Sequence, residues 1–324
     1  MEKEDVLVFR KEEFRILYHY YLCEDSGEEF TDEELDNLNV VQAYNQYRTR
    51  YNLPFPDEIR EIREQYGVSA AKMAEILGFG VNIYRYYESG EVPSISNGRL
   101  IQLVKDPLEF KKLVLASNVL SGNTLEKVIQ KIDELSVSHA DFEVAGLPNY
   151  LMTGLFNGRA NIYTGYRTPN LRRMIEMIVY FTEKCKPWKT KLNKLLFYAD
   201  FTHYKKTGFS ISGAEYMAIQ MGPVPLNFGS IFEYAAMRDD ITITYQEFQN
   251  GGIGELFTPH PRHAFDASLF DKEELASMER IMSRFKNSST GDIIKLSHEE
   301  LAWSENVTEK KKISYDFAFR LLDV

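Results

Sequence analysis

The chain has 324 residues, a net charge of −10 and an aromatic fraction of 13%. At roughly 100–200 residues per domain this length suggests two or three domains, and the aromatic content excludes a disordered chain. Cys23 and Cys185 are its two cysteines, which excludes a disulfide scaffold or a four-thiolate zinc site within one chain. No apolar run reaches the roughly 18 residues of a membrane span. The start, Met1-Glu-Lys-Glu-Asp5, lacks the apolar core of a signal peptide. A cytoplasmic protein with no membrane contact is therefore expected.

The charge is uneven. Residues 1–50 hold 13 acids against 6 bases, and residues 51–120 hold 9 against 8. The chain is not a polyanion binder by bulk field, so any nucleic-acid contact must come from a local patch or from dimerised reading heads. The acidic start serves either solubility or a basic partner.

In chain order, loose alternation through Val6, Val8, Phe9, Phe14, Ile16, Tyr18, Tyr20 and Leu22 predicts two short strands in a hairpin. Glu24 to Gly27 forms a turn. Thr31-Asp-Glu-Glu34 reads as a capping box opening a helix to about Arg50, broken by Asn52-Leu-Pro-Phe-Pro56. Short punctuated helices follow. One carries Ile59, Ile62 and Tyr66 and stops at Gly67. Another is capped by Ser69, carries Met73, Ala74, Ile76 and Leu77, and ends at Gly78. A third runs from about Val81 to Ser89. Leu100–Val104 and Leu108–Ala116 complete a five-helix set. Thr124–Leu135 is amphipathic and reads as core, connector or dimer seam. Residues 141–170 are rich in Gly, Asn, Pro and Tyr and are expected to divide two halves.

The second half opens with helices at Leu171–Lys184 and Lys189–Lys206. The latter shows one apolar stripe, Leu192, Leu195, Leu196, Ala199 and His203. Strands are expected at Tyr216–Met221, Ile241–Phe248 and Glu255–Phe257, and helices at Asp271–Arg284 and Thr290–Ser297, with an amphipathic tail at Ile313–Leu321. The fold class is mainly α with small β elements. Its parts are an N-terminal hairpin remnant (1–52), a helix-turn-helix domain (53–120), a connector and linker (121–169) and a C-terminal α+β domain (170–324).

Residues 69–90 have helix-turn-helix grammar: a capped helix, a glycine turn and a second short helix. Tyr84 and Tyr87 form its inner face, which leaves Asn82, Arg85 and Tyr86 outward. Asn pairs bidentately with adenine and Arg with guanine in the major groove. Ser69 and Lys72 would contact phosphate. The competing reading is a plain helical hairpin with a solvated face. Ile59 to Gly67, followed by Leu77-Gly-Phe-Gly-Val-Asn-Ile-Tyr-Arg-Tyr-Tyr-Glu-Ser-Gly90, resembles the helix-turn-helix domain of MqsA-type antitoxins, within the wider Xre repressors. The resemblance implies base reading by Asn82. Tyr86 stands where that family places a base-reading Arg, and Arg85 comes one residue earlier, so base and phosphate contacts both stay open for Arg85. That family also carries an N-terminal zinc ribbon. Residues 1–50 keep its outline in Tyr21-Leu-Cys23 and Gly27-Glu-Glu-Phe30, but three of the four thiols are missing. A metal-free remnant held by aromatics is expected.

In the second half, Lys191-Leu-Asn-Lys-Leu-Leu-Phe-Tyr-Ala-Asp200, then Gly208 and Ala214, then Gly222-Pro-Val224, and finally Ser297-His-Glu-Glu-Leu-Ala-Trp303, resemble the Panacea domain over about residues 170–305. The resemblance implies neutralisation of a small toxin by direct protein contact, or in one branch delivery of the toxin to a protease. Lys191, Lys194, Tyr198 and Asp200 are placed on a docking face opposite the apolar stripe, and His203 of the stripe is grouped with them as a toxin-binding candidate. His260 and His263 read as a solvated loop, and Gly222-Pro-Val-Pro225 as a rigid bend. Catalysis has no nucleophile or third metal ligand fixed by spacing, so no enzyme activity, cofactor or metal is expected. The reading is an antitoxin with a toxin partner, operator DNA as second partner, and a homodimeric state. The alternatives are a stand-alone phage-derived regulator, a proteolytic adaptor, and a metal-dependent hydrolase built on Asp200, His203 and His298.

Overall fold

Two strands, β1 (Glu2–Phe9) and β2 (Glu12–His19), pair antiparallel in full register from Glu2–His19 to Phe9–Glu12. The computed structural model describes residues 1–141, 158–248 and 252–322. It divides into two units, Met1–Tyr150 and Leu151–Val324. It is mainly helical with small antiparallel sheets, as the patterning predicts.

In the N-terminal unit the hairpin is followed by a two-residue pair, β3 (Tyr21–Leu22) with β4 (Glu29–Phe30), and by helix α1 (Glu33–Tyr51). The cap of α1 is Asp32 rather than Thr31: its carboxylate accepts from the Leu35 N–H at 2.9 Å. One face of the hairpin packs on α1 through aromatics. Phe9 meets Tyr44 and Tyr47 at 4.5 and 5.1 Å between ring centres, and Phe14 meets Tyr47 at 6.1 Å. α1 also closes the outer edge of β2. The Asn39 and Gln42 carboxamides each accept from and donate to the backbone of His19 and Leu17, and Gln46 donates to the Arg15 carbonyl. Buried carboxamides so used satisfy strand groups that water would otherwise serve.

Five further helices follow: α2 (Pro56–Glu64), α3 (Ala70–Ile76), α4 (Ile83–Glu88), α5 (Ile95–Leu103) and α6 (Pro107–Ser117). Pro56 begins α2 at its first turn instead of ending a break, because that position has no N–H to lose. Helix α7 (Gly122–Asp141) packs on α6. Its Val128 and Ile132 share one core with Ile59, Ile62, Tyr84 and Phe110. Of the three readings open for this segment, the structure makes it core. Residues 142–157 of the expected linker lie outside the described residues.

The C-terminal unit is built around one helix. Helices α8 (Leu171–Cys185) and α9 (Lys189–Thr207) are followed by strands β5 (Tyr216–Ile219) and β6 (Gly222–Pro225), helix α10 (Phe228–Met237) and the hairpin β7 (Ile241–Glu247) with β8 (Ile253–Pro259). Then come α11 (Lys272–Phe285), α12 (Thr290–Glu299), the short α13 (Leu301–Ser304), β9 (Lys312–Ile313) and a closing 3-10 turn, Tyr315–Arg320. The sheet order is β6-β5-β9, with β7 and β8 as a separate pair. Gly222-Pro-Val-Pro225 is thus a buried strand rather than a bend. Every residue of α9 from Lys191 to Tyr204 is buried, enclosed by α8, α11, α12, β6, β8 and the closing turn. The expected one-sided stripe is a helix covered on all sides. No described helix is long and apolar enough to cross a membrane.

Candidate functional site

The outward face of residues 69–90 in the N-terminal unit is set by three local devices. The Ser69 hydroxyl accepts from the Lys72 N–H at 3.2 Å and starts α3. Gly78, at φ +72°, turns the chain out of it where an L side chain would be strained. The tyrosines of α4 then lock its inner face. Tyr84 is fully buried and donates to the Ile59 carbonyl at 2.8 Å, and the Tyr87 hydroxyl accepts from Asn97 at 2.9 Å. Arg63 of α2 holds Glu88 at 2.6 Å.

The opposite face is free. Asn82, Arg85 and Tyr86 are exposed and share one side of α4 at the i, i+3, i+4 spacing. The Asn82 side chain makes no capping bond, so its amide keeps both donor and acceptor. Lys72 is exposed and paired to Glu75 at 2.8 Å, a surface pair of small energy that a phosphate can displace. Among the described residues no group of three His, Cys, Asp or Glu side chains could hold a metal ion. Cys23 sits in the turn before β4, where its thiol pKa is lowered by hydrogen bonds from Ser26.

In the C-terminal unit the five toxin-binding candidates are interior, and for the docking face this is a correction. Asp200 lies at the centre. Its carboxylate accepts from the Ile211 and Ser212 N–H groups at 2.8 Å each, from the Ser212 hydroxyl at 2.6 Å and from the Tyr216 hydroxyl at 2.8 Å. Burial pushes its pKa up and these donors pull it back. Asp200 therefore pins the loop between α9 and β5. Lys191 donates to the Lys286 and Ser288 carbonyls, capping the end of α11. Lys194 donates to the Pro223 carbonyl of β6 at 2.8 Å, and burial brings its pKa down to about 7. Tyr198 donates to Glu300 at 3.2 Å and stacks on Phe285. His203 meets the Ser277 hydroxyl at 3.2 Å, and burial lowers its pKa to about 4. None of the five reaches the surface, because the helix that carries them has a layer on every side.

The metal-hydrolase constellation does not assemble. Asp200 and His203 are engaged with separate partners, and the His298 ring stacks on Trp303 at 3.9 Å. Polar centres that sequence reasoning missed are instead made by distant pairings. Glu274 of α11, itself part of a capping box with Asp271, receives Arg173 and, at 2.9 Å, Arg167. Glu300 accepts from both Tyr198 and the Leu322 N–H. His263 is not in a solvated loop: its Nε2 lies 2.8 Å from buried Glu176 and its Nδ1 3.5 Å from buried Asp240. This trio lines a groove of about 450 Å³ flanked by Arg172 and Arg238. Two stretches of the sequence signalled these pairings, Ser297–Trp303 for Glu300 and His260–His263 for His263, each without its partners.

Searches of curated proteins and of solved structures return no match to this chain. The core of the C-terminal unit, residues 192–304, matches the family described as Antitoxin SocA-like, Panacea domain.

Proposed function

We propose that this chain is the antitoxin of a toxin–antitoxin pair. Its C-terminal unit binds a protein toxin directly and blocks it without chemistry. Its helix-turn-helix, in a dimer, binds operator DNA and represses the shared operon. The match of residues 192–304 to the SocA-like Panacea antitoxin domain carries the first part. The exposed side of α4, with Asn82, Arg85 and Tyr86 outward over two buried tyrosines, supports the second. The engagement of Lys191, Lys194, Tyr198, Asp200 and His203 in the interior favours a binding scaffold over a reaction centre.

The test is co-expression with the product of the adjacent reading frame. Expression of that product alone should arrest growth. The pair should grow and yield one complex on size-exclusion chromatography. A harmless neighbour, or a toxic one that forms no complex with this chain, would overturn the reading.

A further inference from the structure

The sheet edges of this molecule are treated differently from one another. The outer edge of β2 is closed by Asn39, Gln42 and Gln46. The edge of β1 is open but begins Glu2-Lys-Glu-Asp5, and charged side chains guard an edge against strand addition. The edge of β7 has neither protection. Its sequence, Ile-Thr-Ile-Thr-Tyr-Gln-Glu, is β-branched and aromatic, with no Lys and no Pro.

The ladder shows which groups of β7 are free. The Phe248 N–H donates to the Gly252 carbonyl at 2.7 Å. By the alternation of an antiparallel pair, Thr242, Thr244 and Gln246 then bond inward to β8. The N–H and C=O of Ile243, Tyr245 and Glu247 point the other way. The same parity on β8 turns the Phe257 N–H outward, where it donates to the Pro187 carbonyl at 3.0 Å. No described residue pairs with the outward groups of Ile243, Tyr245 and Glu247. Beside this edge, Tyr245 and Ile253 lie on one face of the hairpin, 69% and 72% exposed. That face is continuous with Ile241 and Phe257, both buried, and Phe257 meets Phe232 of α10 at 4.9 Å between ring centres.

We infer that the free edge of β7 receives an extended segment of the partner polypeptide, which adds to the hairpin as a third strand and covers Tyr245 and Ile253. This inference rests on the toxin-binding reading. Strand addition draws affinity from the main chain and selectivity from alternate side chains. Charge states the partner's chemistry. Thr244–Phe248 holds one carboxylate, Glu247, and no cation, while nearby Glu255 is already held by Lys189 at 2.7 Å. The added strand is therefore apolar beside Tyr245 and carries Lys or Arg opposite Glu247. A second copy fits less well. Two-fold pairing about Tyr245 would set Glu247 against Ile243. A contact some 14 Å long, at about 3.4 Å per residue, also falls far short of the roughly 1,200 Å² of a stable dimer.

The probe is the purified product of the adjacent reading frame, titrated onto the full chain. In the complex, the Ile243, Tyr245 and Glu247 amides should exchange with deuterium at least tenfold more slowly than in the free protein. Tyr245→Pro removes an outward N–H without touching the β8 ladder, and Tyr245→Lys installs the guard that this edge lacks. Each should weaken binding at least tenfold while the melting temperature moves by no more than a few degrees. A wild-type complex with unprotected edge amides and with both variants at full affinity would overturn the inference and leave the toxin reading standing. Failure of the wild-type chain to bind at all would take both down. Protection of these amides in the protein alone, with a dimer on sedimentation, would make the occupant a second copy and equally reject the inference.

Discussion

Arg48 of α1 donates to the carbonyl of Gly90, just past α4, at 2.5 Å, and to Asn45 at 3.0 Å. Arg10 of the hairpin donates to the next carbonyls, Val92 and Pro93, at 2.6 and 2.9 Å. These two arginines fasten the hairpin and α1 to the chain leaving α4. Arg48 is fully buried, and desolvation lowers its pKa to about 10, so part of its attraction is spent on burial. Arg48→Leu should destabilise the N-terminal unit by roughly 1–3 kcal/mol, through the loss of its charged hydrogen bonds to the Gly90 carbonyl and to Asn45. Urea unfolding of the variant against wild type measures it.

Asp200→Asn tests the central pin. Four donors converge on the carboxylate. A carboxamide offers one oxygen and turns an NH₂ group toward the donors that the other oxygen served. The expected loss is roughly 3–5 kcal/mol, as for other broken buried charge networks. A melting temperature unchanged in Asp200→Asn would refute this role.

Lys194 makes the C-terminal unit pH-sensitive. Its folded pKa, about 7, lies below the ordinary lysine value of 10.5. Between those values the unfolded chain binds more protons, so stability rises with pH. Buried tyrosines such as Tyr204 and Tyr216, with pKa values raised above 10, reverse the slope at higher pH. Wild-type protein should therefore melt at increasing temperature from pH about 7 to about 9.5. Lys194→Met should remove most of that slope, which thermal melts of the two proteins across the window would show.

Gly222 stands at φ +95°, and a Cβ there would lie 2.5 Å from Lys194 Cε and 2.6 Å from Ser297 Oγ. Gly222→Ala combines backbone strain with a clash inside a closed core. It should cost at least about 2 kcal/mol, and calorimetry on the purified variant is the direct check.

Under the proposed operator-binding role, Asn82→Ala should weaken binding by roughly 1–3 kcal/mol and relax base preference. Lys72→Ala should weaken it evenly across sequences and flatten the salt dependence. Gel shifts with the promoter of this gene and with scrambled duplexes separate the two patterns. Equal loss on both duplexes for Asn82→Ala would assign that residue to the backbone.

Legibility differed between the two units. Within residues 69–90, Ser69, Gly78, Tyr84 and Tyr87 all stand as their local chemistry implies. Caps and glycine φ values are properties of a few neighbouring residues, and they survive folding unchanged. Helix α1 was legible as a helix but not in its use of Asn39, Gln42 and Gln46. Nothing in a polar i, i+3, i+7 row distinguishes a solvated face from one that closes a strand edge. His263 was misread for a similar reason, since Glu176 precedes it by 87 residues.

Sequence alone determined that these helices form, which side of α4 faces inward, and the family likeness of the C-terminal core. Tertiary structure decided the fate of Lys191, Lys194, Tyr198, Asp200 and His203. Helical period states which side chains share a face, but not whether a second layer covers it. Here the covering groups come from Pro223, Ser277, Lys286 and Glu300. A polar side chain can enter a core only when such partners arrive to meet it, and their arrival is a property of the whole fold.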